Sequence, residues 1–267
     1  MKITTLGTGH GAATKCYNTC FTMDDGDDFF LVDAGGGNGI LSQLNNANVS
    51  LDKITALFVS HAHMDHILGA IWIIRIIGKK YMSETKEEPL YVYGNDEVVN
   101  AIIKLCNILL PKDFLNLLKH NIKVLEIKDG QQLTILNQKV TFFDINAKKV
   151  KQFGFYMNVN NHYKFTFIGD EVCSKETEKY VKNSKWLFAD AYMHGKEAEL
   201  YDPIKRHHHS SVRYIASVCE RLNVENVILS HTMDNNLKTR KKNFTYDAKI
   251  YFSGNVFVPN DLEKIEI

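Results

Sequence analysis

The chain has 267 residues, of which 45% are hydrophobic and 24% are charged, a composition typical of globular proteins. Its 32 basic and 31 acidic side chains nearly cancel, so net charge does not predict a global attraction to nucleic acid or to an anionic membrane. The apolar run at residues 71–77 contains Arg75 and is too short to span a bilayer, which excludes it as a membrane anchor.

The cysteines and the N-terminus predict a cytoplasmic location. Five cysteines are scattered and odd in number, which does not suit a disulfide framework. The first residues lack the apolar segment of a signal peptide. Cys16 and Cys20 have a C-x-x-x-C spacing, but no second pair accompanies them, so buried or surface thiols are favoured over a structural zinc site.

The pattern of apolar residues predicts strands with interspersed helices. After an N-terminal strand, further strands are predicted at residues 29–33, 56–60, 90–93, 123–127, 133–135, 140–144, 155–158, 164–168, 186–189, 227–229 and 251–258. Helices are predicted at residues 40–44, 67–77, 97–106, 211–222 and 237–248, with Gly78 ending the second. We therefore expect packed sheets covered by helices, in a single domain over residues 1–267.

The segment His61-Ala62-His63-Met64-Asp65-His66 follows a short apolar strand directly. His61 and His63 alternate in an extended loop, so both imidazoles can point to the same side. Asp65 and His66 begin the next turn and can face a second position. Imidazole and carboxylate ligands suit zinc or manganese, and this segment predicts a metal site.

The order H-x-H-x-D-H resembles the signature of the metallo-β-lactamase superfamily. The resemblance continues in segments 6–9 (LGTG), 32–37 (VDAGGG), 166–170 (TFIGD) and 229–232 (LSHT). It implies an α/β fold of the αββα four-layer sandwich type, in which two packed mixed sheets are flanked by helices. It also implies two divalent metal ions, with zinc expected first and manganese or iron as alternatives.

The resemblance assigns further metal ligands. Asp170 matches an aspartate that bridges the two metals, and His231 matches a strand-end histidine that completes the second. The third histidine of the first metal is expected near residue 146, where this chain has Asn146, a weaker ligand for zinc. His120 and His162 are alternatives, although one lies near a predicted helix end and the other in a predicted hairpin turn.

A second histidine run, at residues 207–209, resembles a motif of ribonuclease Z-like proteins in which a histidine approaches the scissile phosphate. The following Ser210 and Ser211, one of which is expected to cap the next helix, favour His209 over His207 and His208. Only a short hairpin separates Phe155 from Asp170, which leaves no room for the arm that grips tRNA in true ribonuclease Z. tRNA maturation is therefore not predicted.

The resemblance implies a hydrolase that attacks a phosphodiester with a metal-bound hydroxide. Asp65 would orient the nucleophile, and His209 would neutralise a phosphate oxygen or protonate the leaving group. A small nucleotide or an RNA end is the first choice of substrate, and a homodimer is expected only by analogy. Hydrolysis of an ester, thioester or lactone is the alternative, and Asn146 leaves open an inactive binding or regulatory homologue.

Overall fold

A computed structural model describes residues 1–195 and 209–267. The chain folds into two compact units. The first unit comprises Met1–Gly7, Tyr17–Lys128 and Asp261–Ile267, and the second comprises Thr8–Cys16 and Asp129–Asn260. The expectation of one domain over residues 1–267 stays a prediction.

The first unit contains a mixed seven-stranded sheet. In sheet order its strands are β14 (Lys264–Glu266), β1 (Lys2–Gly7), β2 (Cys20–Asp24), β3 (Phe29–Val32), β4 (Ile54–Phe58), β5 (Leu90–Gly94) and β6 (Ile122–Glu126). Pairing is antiparallel from β14 to β3 and parallel from β3 to β6. The helices are α1 (Gly39–Asn46), α2 (Met64–Met82), α3 (Asp96–Leu109) and α4 (Lys112–His120), with a 3₁₀ turn at Leu51–Lys53.

Helix α2 positions the histidine-rich segment, because it begins inside that segment. It buries Ile67, Ala70, Ile71 and Ile74, whose spacing places them on one helix face. The prediction that Gly78 ends this helix was wrong, since α2 continues to Met82. A Cβ atom at Gly78 would lie 2.8 Å from the Phe114 ring, so the glycine permits close packing of α4 on α2.

The second unit contains the other mixed seven-stranded sheet of the described residues. In sheet order its strands are β13 (Asn255–Phe257), β12 (Asn226–Ser230), β11 (Trp186–Asp190), β10 (Tyr163–Phe167), β9 (Phe153–Val159), β8 (Gln138–Asp144) and β7 (Gln132–Ile135). Pairing is parallel from β10 to β13 and antiparallel from β7 to β10. The described helices are α5 (Lys175–Val181), α6 (Val212–Arg221) and α7 (Leu237–Lys249).

The hairpin between β9 and β10 is as short as the sequence predicts. Asn160 and Asn161 have φ angles of 51° and 59°, as the central residues of a type I′ turn require. The backbone N–H of His162 closes the turn by donating to the Val159 carbonyl at 2.9 Å. The chain therefore passes from Phe155 to Asp170 without an insertion.

Several elements were missed or misjudged from the sequence. β2, α5 and β14 were not predicted, α4 was indicated only by the helix end expected near His120, and the strand expected at residues 251–258 is reduced to β13. The start of that segment instead turns after α7, where the Tyr251 N–H donates to the Ala248 carbonyl at 3.0 Å. Within the described residues, no helix has both the length and the apolarity needed to span a bilayer.

Candidate metal centre

In the first unit, two neighbouring parallel strands deliver the candidate ligands and the residues that orient them. β3 ends before Asp33, and β4 leads through Val59 to Ser60 and His61. Asp33 is buried and has a φ angle of 55°, a conformation that Asp tolerates better than most residues. Because carboxyl ends of parallel strands share one sheet edge, Asp33 and Ser60 become neighbours.

A hydrogen-bond chain fixes the tautomer of His61. The Ser60 hydroxyl lies 3.0 and 2.9 Å from the two carboxylate oxygens of Asp33, to which it donates. Its oxygen can then accept from Nδ1 of His61 at 3.0 Å, which leaves the lone pair of His61 on Nε2. That Nε2 is 2.9 Å from Nδ1 of His63. His61 is buried and His63 is exposed.

Asp33 also orients His66, in the first turn of α2. Nδ1 of His66 donates to the second carboxylate oxygen of Asp33 at 2.9 Å, so its Nε2 carries a lone pair as well. That Nε2 lies 3.3 Å from a carboxylate oxygen of Asp65. The rings of His61 and His66 are 4.1 Å apart between centroids. Orientation of a histidine ligand by a buried carboxylate is the usual arrangement around protein-bound metals.

In the second unit, the ends of three parallel strands deliver Asp170, Asp190 and His231. Asp170 follows β10, Asp190 ends β11, and His231 follows β12. All three side chains are buried. His231 has a φ angle of 55°, which turns the chain sharply at the end of its strand. The parallel register therefore brings residues from distant parts of the sequence to one edge of the sheet.

These residues form a compact cluster with His209. Nε2 of His231 is 3.5 Å from a carboxylate oxygen of Asp170, and its Nδ1 is 3.4 Å from Asp190. Nδ1 of His209 donates to the backbone carbonyl of Asp170 at 2.9 Å and lies 3.3 Å from Asp190. Asp170, His209 and His231 each offer a ligand atom within 4.8 Å of the other two.

The charges around His209 favour its protonated form. Burial alone would lower the pKa of His209, but the carboxylates of Asp190 and Asp170 outweigh burial and raise it. For Glu171, burial acts in the opposite direction: it is the main cause that raises the pKa of this carboxyl, to about 7. The second unit thus combines a buried carboxylate cluster with an imidazole able to carry a positive charge.

The donor sets in both units fit divalent cations. Two ligands of one tetrahedral zinc, each about 2.0–2.1 Å from the ion, lie roughly 3.3 Å apart. The separations are 2.9 Å for His61 Nε2 and His63 Nδ1, 3.3 Å for His66 and Asp65, and 3.5 Å for His231 and Asp170. Imidazole and carboxylate donors without thiolates suit zinc, manganese or iron.

Asn146, expected near the first metal, lies in the second unit. It is exposed and has a φ angle of 60°. Its backbone N–H donates to the Asp144 carboxylate at 2.7 Å, and its side-chain amide donates to the Asp144 carbonyl at 3.4 Å. It lines a cavity of about 680 Å³ together with Glu171, Tyr214 and Arg221. Its role as a ligand stays a prediction.

The other histidines occupy separate places. His120 is the exposed last residue of α4, and His162 is exposed in the β9–β10 turn. His207 and His208 lie outside the described residues, so the structure describes His209 alone in that run. Ser211, one of the two expected caps, accepts from the Tyr214 N–H at 3.2 Å and caps α6.

Sequence reasoning missed the orienting roles of Asp33 and Asp190 and the presence of two further aromatic rings. Asp190 did carry a signal, because it ends an apolar strand as Asp33 and Asp170 follow theirs. The two further rings belong to His10 and Tyr192, and no sequence pattern indicated either residue. Their rings are 5.2 Å apart between centroids, and the His10 ring is 6.5 Å from that of His231.

A protein-family model described as "Anti-Pycsar protein Apyc1" matches residues 1–251. The chain belongs to this family. Among solved structures, the metallo-β-lactamase fold protein YhfI from Bacillus subtilis superposes with a TM-score of 0.80 at 20% identity, covering 100% of this chain and 99% of that one. Human tRNase Z, short form, gives 0.75 at 18% identity, covering 100% and 99%. The predicted metallo-β-lactamase fold is confirmed.

A ribonuclease Z from Methanococcus aeolicus is 32% identical over 151 residues, which is 56% of this chain and 38% of that relative. The match therefore spans little more than a third of that protein's own length. Together with the similarity to tRNase Z, it confirms the predicted resemblance to the ribonuclease Z-like branch.

Proposed function

We propose that this protein is a metal-dependent hydrolase that cleaves phosphodiesters of small nucleotides or RNA-like substrates. The observation that carries the proposal is the orientation of its histidines. Buried strand-end carboxylates fix His66 through Nδ1 and contact Nδ1 of His231. Buried carboxylates aligned on imidazoles in this way suit metal ligation better than they suit stability alone, because burying charges is costly.

The proposed ligands of two divalent ions, zinc first, are those that the resemblance implies: His61, His63, Asp65, His66, Asn146, Asp170 and His231. When bound, such ions supply an activated water and stabilise negative charge on phosphorus-bound oxygens. Asp65 lies in the first turn of α2 and is partly exposed, so it can orient that water and accept its proton. His209 contacts the phosphate or protonates the leaving group.

The cavity lined by Glu171, the residue after Asp170 in the chain, supports a small substrate. Its volume of about 680 Å³ is in the range of small-molecule sites, which is roughly 300–1,000 Å³. Three basic and three acidic side chains line it, and Arg221 is already paired with Glu178 at 2.7 and 2.8 Å. A cavity with balanced charge suits a nucleoside better than a run of phosphates, which favours a small substrate over tRNA.

The proposal is tested by turnover of bis-p-nitrophenyl phosphate with added zinc or manganese. We expect metal-dependent turnover in the wild type, its loss in Asp170→Ala, and wild-type turnover in Asp27→Ala, which removes an exposed carboxylate of a loop. Full activity in Asp170→Ala would refute the ligand assignment. Turnover of p-nitrophenyl esters or lactones in place of the phosphodiester would instead favour carboxylic ester chemistry, and no turnover of any substrate would favour a binding homologue.

A further inference from the structure

Four aromatic rings lie together in the second unit, and two of them belong to residues with no assigned role. Tyr192 is stacked on His209, with centroids 5.1 Å apart and planes inclined by 26°. His209 is stacked on His231 at 4.9 Å and 23°. The ring of His10 meets Tyr192 edge-on at 5.2 Å and 85°.

The backbone holds His10 in this place. The Thr232 N–H donates to the Thr8 carbonyl at 3.0 Å, and the His10 N–H donates to the Thr232 carbonyl at 3.3 Å. These two bonds hold residues 8–10 next to Thr232, the residue that follows His231. Nδ1 of His10 accepts from the Ala12 N–H at 3.2 Å, which fixes the orientation of the ring and places its proton on Nε2.

Tyr192 is held just as firmly by its main chain. Its N–H donates to the Ser210 carbonyl at 2.8 Å, and its carbonyl accepts from the Met233 N–H at 2.9 Å. The Ser210 N–H in turn donates to Asp190 at 2.6 Å. The main chain of Tyr192 is therefore bonded to Ser210, which follows His209, and to Met233, which lies two residues after His231, while its ring stacks on His209.

We propose that Tyr192 is a positioning residue that holds the plane of the His209 imidazole for protonation of the leaving group, and that His10 buttresses Tyr192. The inference rests on the proposed function. Nδ1 of His209 is anchored on the Asp170 carbonyl, and an anchor at one ring nitrogen leaves the ring able to rock about it. Stacking on Tyr192 and His231 restricts that motion, because a rotated imidazole would lose its contact with the two neighbouring rings.

The proposal predicts a dependence on the leaving group. A p-nitrophenolate leaves without a proton, whereas phenolate, a stronger base, needs one, so a displaced proton donor harms only the second reaction. The test compares methyl p-nitrophenyl phosphate with methyl phenyl phosphate. We expect Tyr192→Leu to lower kcat for the phenyl ester about 30-fold or more, since general acids contribute roughly 10²–10⁴-fold, and to change the p-nitrophenyl ester less than about 3-fold.

Matched variants separate positioning from general damage. Tyr192→Phe keeps the ring and should stay within about 2-fold of wild type on both esters, while Tyr163→Leu makes the same change at a half-buried position of β10 and should have no effect. His10→Gln should act in the same direction as Tyr192→Leu but more weakly, and it tests the proposal even where the leucine variant does not fold. Metal content should be unchanged in every variant.

A double-mutant comparison tests whether Tyr192 acts through His209. His209→Ala should show the same selective loss on the phenyl ester, and adding Tyr192→Leu to it should lower kcat no further, because residues that act as one unit are not additive. An equal loss on both esters, a loss of metal, or additive effects would overturn the positioning role. Wild-type protein that hydrolyses neither ester would instead refute the proposed function itself.

Discussion

The first unit and the second unit both place an aspartate at the end of a parallel strand and use it to orient imidazoles. In the first unit, the Asp33 carboxylate accepts from Nδ1 of His66 and also from Ser60, whose backbone N–H donates at 2.8 Å and whose hydroxyl donates as well. In the second unit, Asp190 lies 3.3–3.4 Å from two histidines and accepts the backbone N–H of Ser210.

This difference indicates different sensitivities of the two units. Asp33 is satisfied by several short hydrogen bonds, so its geometry does not depend on one partner. Asp190 instead lies within 3.4 Å of both a predicted metal ligand, His231, and the predicted catalytic residue, His209. Loss of Asp190 should therefore damage two functions at once, whereas loss of Asp33 should damage one.

The largest effect is expected for Asp190→Asn. The amide keeps the volume but can no longer act as a carboxylate toward both imidazoles, so we expect kcat/KM for methyl phenyl phosphate, whose leaving group needs a proton, to fall about 100-fold or more, above the roughly 10–100-fold typical of one outer-shell partner. Steady-state kinetics and metal analysis measure this. Retention of more than a tenth of wild-type activity would show that Asp190 does not align the two histidines.

Asp33→Asn should have the next largest effect, on metal affinity rather than on proton transfer. Because Asp33 fixes the His66 ring, we expect roughly 10–100-fold weaker binding of one metal ion, with kcat restored by excess metal. Titration of the metal-free protein with zinc measures the affinity. If excess zinc did not restore kcat, Asp33 would affect more than metal affinity, and its role would not differ from that of Asp190.

Ser60→Ala should affect stability more than activity. The Ser60 hydroxyl is buried between Asp33 and His61, so its removal deprives two buried groups of a partner and should cost about 1–3 kcal/mol in the free energy of unfolding. Denaturant titration of the metal-free protein provides the measurement. An unchanged midpoint would mean that the hydroxyl does not hold this network together.

Ser210→Ala should have the smallest effect and serves as the counterpart of Ser60→Ala. Only the backbone N–H of Ser210 reaches Asp190, and its buried hydroxyl has no hydrogen-bond partner in the described residues. We expect a change within about 0.5 kcal/mol and near wild-type kinetics. A loss as large as that of Ser60→Ala would remove the difference between the two units.

The sequence predicted those features that residues close together in the chain determine. The alternation of apolar strands and helices, the six-residue motif at His61–His66 and the short hairpin before Asp170 all depend on neighbours in the chain. The contacts of Asp190 and Tyr192 depend on strand register and on bonds between residues about 20–40 positions apart, and the position of His10 depends on a backbone bond across more than 200 residues, between Thr8 and Thr232. No local pattern encodes such contacts, and Gly78 misled because glycine also permits close helix packing.

The most direct test of the central claim is the metal content of the purified protein after growth with zinc, measured by elemental analysis beside Asp170→Ala. We predict two ions per chain in the wild type and clearly fewer in the variant, because Asp170 and His231 lie within ligand distance of one another. Less than one ion per chain in the wild type, or equal content in the two proteins, would contradict the account.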